Sequence, residues 1–146
     1  MPLADAKTKK ILVIDDDKNY LGIITRKLTS EGFQVIAAPS SVEIKPKIES
    51  INPDLIVLDL VMPGIGGLEL LRHLQADGLS SVPVILVTGF DRYDKAATEE
   101  LMRAEPNVVD YMVKPFHLTI FALRVHQILK TMPAVVANPE GGSTGQ

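Results

Sequence analysis

The sequence predicts an α/β protein with a doubly wound, five-stranded parallel sheet covered by helices on both faces. Three observations carry that expectation. Short apolar runs rich in β-branched residues alternate with helix-length amphipathic stretches. Four of those runs stop abruptly at a polar side chain, namely Asp15, Asp59, Thr88 and Lys114. With 146 residues, 46% of them hydrophobic, the chain has material for one sizeable core and little room for a second.

In chain order, Ile11-Leu12-Val13-Ile14 is a continuous apolar run before Asp15-Asp16-Asp17 and reads as a strand buried on both faces. Leu21, Ile24 and Leu28 repeat at helical spacing from Lys18 to Glu31. Asp17 is placed to cap that helix, and Gly32 closes it. Phe33 to Ala37 is a second, shorter strand. Ser40-Ser41-Val42-Glu43 has the form of a capping box, but Pro46 should kink the helix it opens or delay its start to about Lys45. Leu55-Ile56-Val57-Leu58 is the third strand, ending at Asp59. Met62 to Gly67 is loop chemistry, and Leu68, Leu71 and Leu74 mark the following helix. Val82 to Val87 is the fourth strand. Asp94 to Arg103 is a helix with Ala97, Leu101 and Met102 inward. Tyr111 to Val113 is the fifth strand. Leu118 to Lys130 is the last helix, with Phe121, Ala122, Val125, Ile128 and Leu129 inward.

Composition removes several function classes. The absence of cysteine excludes disulfide scaffolds, thiolate metal sites and cysteine nucleophiles. A net charge of −3 argues against a general nucleic-acid binder. No apolar run approaches the roughly 20 residues a membrane span needs. Met1 to Lys10 lacks the apolar core of a signal peptide. The expectation is a soluble, cytoplasmic protein with residues 1–8 and 132–146 as flexible ends around one domain, 9–131.

In an open parallel sheet, ligands bind beyond the carboxyl ends of the strands. Asp15, Asp16 and Asp59 brought together there would repel one another unless a cation neutralises them. An all-oxygen donor set selects a hard ion, Mg²⁺ or Mn²⁺ before Zn²⁺. Lys114 adds a positive charge and Thr88 a hydroxyl, a set suited to clamping a transferring phosphoryl group. Asp59 is the natural nucleophile, since carboxylates form acyl phosphates. Singly, each piece is ordinary: an Asp after a strand is most often a cap or turn residue. The force lies in four strand ends each offering a part of one site.

These residues resemble the receiver domain of two-component response regulators over about Lys9 to Lys130. The resemblance rests on Ile11-Leu12-Val13-Ile14-Asp15-Asp16-Asp17, on Leu55 to Gly64 with Asp59 and Pro63, on Pro83 to Gly89 with Thr88, and on Tyr111 to Phe116 with Lys114-Pro115. It implies a flavodoxin-like (CheY-like) sheet of order 2-1-3-4-5, with Asp59 as the phosphoacceptor. It implies Mg²⁺ held by Asp16, Asp59 and the backbone carbonyl of Val61, with Asp15 acting through water. Lys114 would pair with the phosphoryl group, Thr88 would hydrogen-bond it, and the Lys114–Pro115 peptide would be cis. Thr88 and Tyr111 would move on phosphorylation and change the surface of the fourth helix, fifth strand and fifth helix. The phosphodonor would be a histidine kinase or histidine phosphotransfer protein. The output would be a separate partner or an effector domain lying outside these residues, with no nucleic acid or membrane bound by this chain. Phosphorylation-dependent homodimerisation through the fourth and fifth helices is a habit of the family.

The chain also departs from the family pattern. Gly66 stands where Asp is common, which should loosen the loop after Pro63. Arg103 to Asp110 replaces the usual short turn with a longer stretch. Val61 and Phe90, two residues after Asp59 and Thr88, are apolar and cannot orient an attacking water, so slow loss of the phosphoryl group is expected. A magnesium phosphohydrolase would normally carry a second acid at position 61, where Val61 stands, and a cap domain. A nucleotide or flavin binder would need a glycine-rich phosphate loop where this chain has three acids. A degenerate receiver that binds partners without phosphorylation is disfavoured by the full acid, Thr and Lys set.

Overall fold

Ile11 to Ile14 and Leu55 to Leu58 have no polar side chain to leave in water, so both strands must be covered on two faces. The computed structural model, which describes residues 8–60, 66–76 and 78–133, shows how this is done. The strands are β1 (Lys10–Ile14), β2 (Gln34–Ala38), β3 (Leu55–Asp59), β4 (Val84–Gly89) and β5 (Val108–Lys114). The helices are α1 (Lys18–Ser30), α3 (Gly66–Ala76), α4 (Lys95–Ala104) and α5 (Leu118–Leu129). A broken α2 is made of Ser41–Ile44, a 3-10 turn at Lys45–Lys47, and Ile48–Ile51. The strand order is β2-β1-β3-β4-β5, and every pairing is parallel. Val61, the loop after Pro63, and the two ends at 1–7 and 134–146 lie outside the described residues.

Alternation along each central strand divides the apolar side chains between two cores. Leu12, Ile14, Ile56, Leu58, Val84 and Leu86 face one side, where Ile44, Ile48, Leu70, Leu71 and Leu74 of α2 and α3 cover them. Ile11, Val13, Leu55, Val57, Ile85 and Val87 face the other, under Leu21, Ile24 and Leu28 of α1 and Phe121 and Val125 of α5. Each fully buried Leu or Ile contributes about 2–3 kcal/mol relative to exposure. The central sheet is therefore a stiff platform, and functional groups belong at its edge.

Local signals set the helix ends. Asp17 Oδ1 accepts the N–H groups of Asn19 and Tyr20 at 3.1 and 3.2 Å, capping α1 as expected. Gly32 follows at φ +95°, the left-handed conformation a side chain disfavours. The second helix is broken rather than delayed. It starts at Ser41, with Ser40 Oγ accepting the Val42 N–H at 3.1 Å, and Pro46 turns its middle into the 3-10 turn.

Two expectations are corrected further along. Ala97 is exposed, and Thr98 is the buried residue of α4, with Leu101 and Met102 partly buried against the core. The stretch before Tyr111 is no long loop. Val108, Val109 and Asp110 extend β5, and the extra residue is absorbed in a bulge where Val84 pairs with Val108 but Ile85 with Asp110.

His126 of α5 was not among the expected inner residues, yet it is 3% exposed. Its Nε2 lies 2.8 Å from Glu31 Oε1 at the end of α1, and its Nδ1 lies 2.6 Å from Thr131 Oγ1. Phe33 packs on its ring at 4.8 Å. A single residue thus ties α5, α1 and the chain leaving α5 together. Replacing His126 with Ala should lower the unfolding free energy by about 2–4 kcal/mol, because it leaves a cavity and removes one of the partners of the buried Glu31 carboxylate, which also pairs with Lys27. Thr131→Val should cost only about 1 kcal/mol. Urea unfolding checks both, and equal losses for the two variants would contradict the assignment.

Candidate functional site at the carboxyl edge of the sheet

All five strands point the same way, so their carboxyl ends share one edge. β1 and β3 are neighbours, and the chain leaves them toward opposite sides of the sheet, which opens a crevice between their ends. Asp15 and Asp59 stand at that crevice. One carboxylate oxygen from each of Asp15, Asp16 and Asp59 lies within 4.8 Å of the others, the first and last buried and Asp16 exposed.

Asp15 is 2% exposed and has both oxygens engaged. Oδ1 accepts the Asp17 N–H at 2.9 Å, and Oδ2 lies 2.7 Å from Lys114 Nζ. Lys114 reaches in from the end of β5 and also lies 3.5 Å from Asp59 Oδ2. Burial works against the lysine charge, but the hydrogen bond and charge of Asp15, and then those of Asp59, outweigh it. Its pKa therefore sits above the ordinary lysine value. A raised lysine pKa stabilises the fold at every pH below the ordinary value, and that contribution is lost only as pH rises through the raised one. Lys114 is thus an ammonium throughout the neutral range.

Carboxylates this close repel by on the order of 3 kcal/mol per pair at an effective dielectric constant of about 20. Lys114 offsets that repulsion but leaves three negative charges against one positive, a net of −2. The donors are all oxygens and the net charge matches a divalent cation, so the residues fit a hard ion such as Mg²⁺.

Thr88 is 4% exposed on β4, one residue beyond Val87, the register partner of Asp59. It lines a groove of about 430 Å³ between α3 and α4 together with Leu60, Arg72 and Leu101. Phe90 is 74% exposed. Tyr111 is half-buried on β5, with its hydroxyl 3.1 Å from that of Tyr93. The Lys114–Pro115 peptide is cis.

Sequence reasoning missed Tyr20. Its ring lies 4.5 Å below Lys114 Nζ, and its hydroxyl accepts the Phe116 N–H at 3.2 Å. It guides the lysine between the acids by a cation–π contact. Tyr20 is the third residue of α1, on the turn that Asp17 caps, but nothing in a lone tyrosine at that position signals the role.

A parallel sheet of order β2-β1-β3-β4-β5 with three acids, a buried hydroxyl and a paired lysine at its carboxyl edge defines a flavodoxin-like class of α/β protein. The chain belongs to the response regulator receiver domain family, whose model matches residues 11–126. It is 36% identical over 123 residues to the alkaline phosphatase synthesis transcriptional regulatory protein PhoP of Bacillus subtilis, an alignment covering 84% of this chain and 49% of that protein. It is 30% identical over 126 residues to the DNA-binding response regulator MtrA of Mycobacterium tuberculosis, covering 86% and 53%. The chain therefore spans about half the length of these curated relatives. Among solved structures, the receiver domain of the Francisella response regulator 1452 superposes with a TM-score of 0.75 at 30% identity, covering 84% of this chain and 98% of that one. A response regulator from Chloroflexus aurantiacus gives 0.74 at 29%, covering 85% and 99%. Among the described residues, no helix is long and apolar enough to cross a membrane.

The charge balance makes a direct prediction. Lys114→Met should destabilise the protein by about 2–4 kcal/mol in EDTA, because Asp15 is left buried without its counter-charge. Added Mg²⁺ should shrink that loss by about 1 kcal/mol or more, since a bound cation does part of the same work. Unfolding curves with and without the ion test this, and a loss that Mg²⁺ does not change would contradict it.

Proposed function

We propose that this receiver domain accepts a phosphoryl group on Asp59 from a histidine kinase or histidine phosphotransfer protein and passes the change to its α4–β5–α5 surface. The observation that carries the reading is the convergence of Asp15, Asp59 and Lys114 within salt-bridge distance at one crevice. A carboxylate oxygen of Asp59 attacks phosphorus. The new O–P bond forms as the P–N bond to the donor imidazole breaks, and the departing nitrogen recovers a proton from water. Lys114 pairs with the arriving phosphoryl oxygens, and the Thr88 hydroxyl donates to them. Asp15, Asp16, Asp59 and the carbonyl of Val61 would hold Mg²⁺, which supplies charge neutralisation for the approach of one anion to another. Tyr111 follows Thr88 and alters the output surface.

Residues 9–131 are the folded receiver unit in this reading, and it acts in the cytoplasm. The chain itself touches neither nucleic acid nor membrane. Its output is a docked partner or an effector domain, and the pairing of receiver-sized matches with relatives named as transcriptional and DNA-binding regulators favours a transcriptional output. Dimerisation of the phosphorylated form through α4 and α5 fits the same surface.

Incubation with acetyl phosphate and Mg²⁺ should add the mass of one phosphoryl group to the intact protein, and Asp59→Asn should abolish the gain. An unchanged mass would contradict the reading, and sustained release of phosphate at enzymatic rates would favour a hydrolase. With Val61 and Phe90 apolar, neither offers an attacking water a polar partner. The labelled protein should therefore lose its phosphoryl group over minutes to hours, and loss within seconds in the absence of a phosphatase would contradict this.

A further inference from the structure

The chain has three tyrosines, and two of them meet at the proposed output surface. Tyr93 closes the connection between β4 and α4. That connection is tightly held: the Phe90 N–H donates to the Lys114 carbonyl at 3.2 Å, the Arg92 N–H to the Gly89 carbonyl at 3.0 Å, and the Tyr93 N–H to the Phe90 carbonyl at 3.4 Å. The next residue, Asp94, caps α4 by accepting the Ala97 N–H at 2.9 Å. The backbone of Tyr93 is thus held from both sides.

From that position its ring stacks on Tyr111, with centroids 5.7 Å apart and planes 18° from parallel. The two hydroxyls are 3.1 Å apart. The hydrogen bond to Tyr111 leads the effects that push the Tyr93 phenol up to about 12, ahead of burial and the nearby charges of Glu99 and Asp94. The Tyr93 phenol therefore keeps its proton at neutral pH, where its hydroxyl meets that of Tyr111.

A tyrosine that rotates about its side-chain torsion must part these hydroxyls and slide off the stacked ring. The connection carrying Tyr93 begins after Gly89, one residue beyond Thr88, and this strand end pairs with Val113 and Lys114 of the strand that carries Tyr111, so a displacement there would act on both elements of the stack.

We propose that Tyr93 is a positioning residue for the switch, a latch whose ring and hydroxyl hold Tyr111 and so set the balance between the two orientations of that residue. The proposal rests on the reading that Asp59 phosphorylation is coupled to movement of Tyr111. Tyr93 touches no reacting atom and acts through Tyr111 alone.

The test is a double-mutant cycle read by Mg²⁺ and beryllofluoride titration of the fluorotyrosine-labelled full chain, in which each tyrosine reports its own fluorine resonance. Tyr93→Phe, which removes the hydroxyl bond alone, should change the apparent beryllofluoride affinity about threefold and move the Tyr111 resonance before any ligand is added. Tyr93→Ala removes the stack as well and should change the affinity about tenfold. Combined with Tyr111→Phe, the Tyr93→Phe change should have no further effect, because the partner hydroxyl is already gone. Wild type that binds beryllofluoride while Tyr93→Phe neither alters the affinity nor moves the Tyr111 resonance would overturn the latch alone, as would an equal effect of Tyr93→Phe in the Tyr111→Phe background. Wild type that binds no beryllofluoride would overturn the phosphoacceptor reading and, with it, the role of the latch in activation.

Discussion

A carboxylate that is 2% exposed must find its counter-charge inside the protein, and the organisation of this site follows from how Asp15 does so. Its partner is Lys114, which lies 55 residues beyond Asp59 in the chain and three strands away from β1 in the sheet. The contact forms only if β1, β3, β4 and β5 are parallel and in register, so that their ends share one edge. The ion pair is therefore a consequence of the whole topology, and the fold cannot form with this pair broken without exposing or neutralising a buried charge. Tyr20 beneath the ammonium and the Asp17 N–H on the other carboxylate oxygen remove most of the remaining freedom.

That constraint explains a division of labour in the sheet. Between their ends, β1, β3 and β4 are almost wholly apolar and shielded on both faces, and they resist movement because any shift opens a cavity. The polar strand ends carry the charge, and in the proposed function the neighbouring segments carry the response. Thr88 lies between the acids and the groove beneath α4, and the chain runs from it directly into the turn that brings Tyr93 onto Tyr111. In the proposed function, a change in charge at Asp59 would have a short, contiguous route along these residues to the β5 face.

How much of this was legible in the sequence depended on whether the signal was local. The central strands were readable because four consecutive apolar residues bounded by acids have few other interpretations. Asp17 and Gly32 were readable because capping is chemistry within one helical turn. The gathering of Asp15, Asp16, Asp59, Thr88 and Lys114 at one edge followed from the parallel-sheet rule together with the family resemblance. What escaped was set by tertiary packing. Ala97 matched the helical period but lines the open groove beside α4 and stays exposed. Val108 and Val109 read as loop because a bulge, invisible in a linear pattern, lets β5 begin earlier. Pro46 announced a disturbance without saying whether the helix would start late or break. His126, Tyr20 and Tyr93 are ordinary residues at ordinary spacings, and their partners, Glu31, Lys114 and Tyr111, are distant in sequence or lie on another element.

The central claim is that the four strand ends form one responsive unit, and backbone amide NMR tests it most directly. On saturation with Mg²⁺ and beryllofluoride, the account predicts concerted resonance changes at Asp15, Asp59, Thr88 and Lys114 that extend to Tyr93 and Tyr111, while Ile11 to Val13 and Leu55 to Val57 stay nearly fixed. Changes confined to Asp16 and neighbouring exposed residues, with Thr88, Lys114 and Tyr111 unmoved, would contradict it.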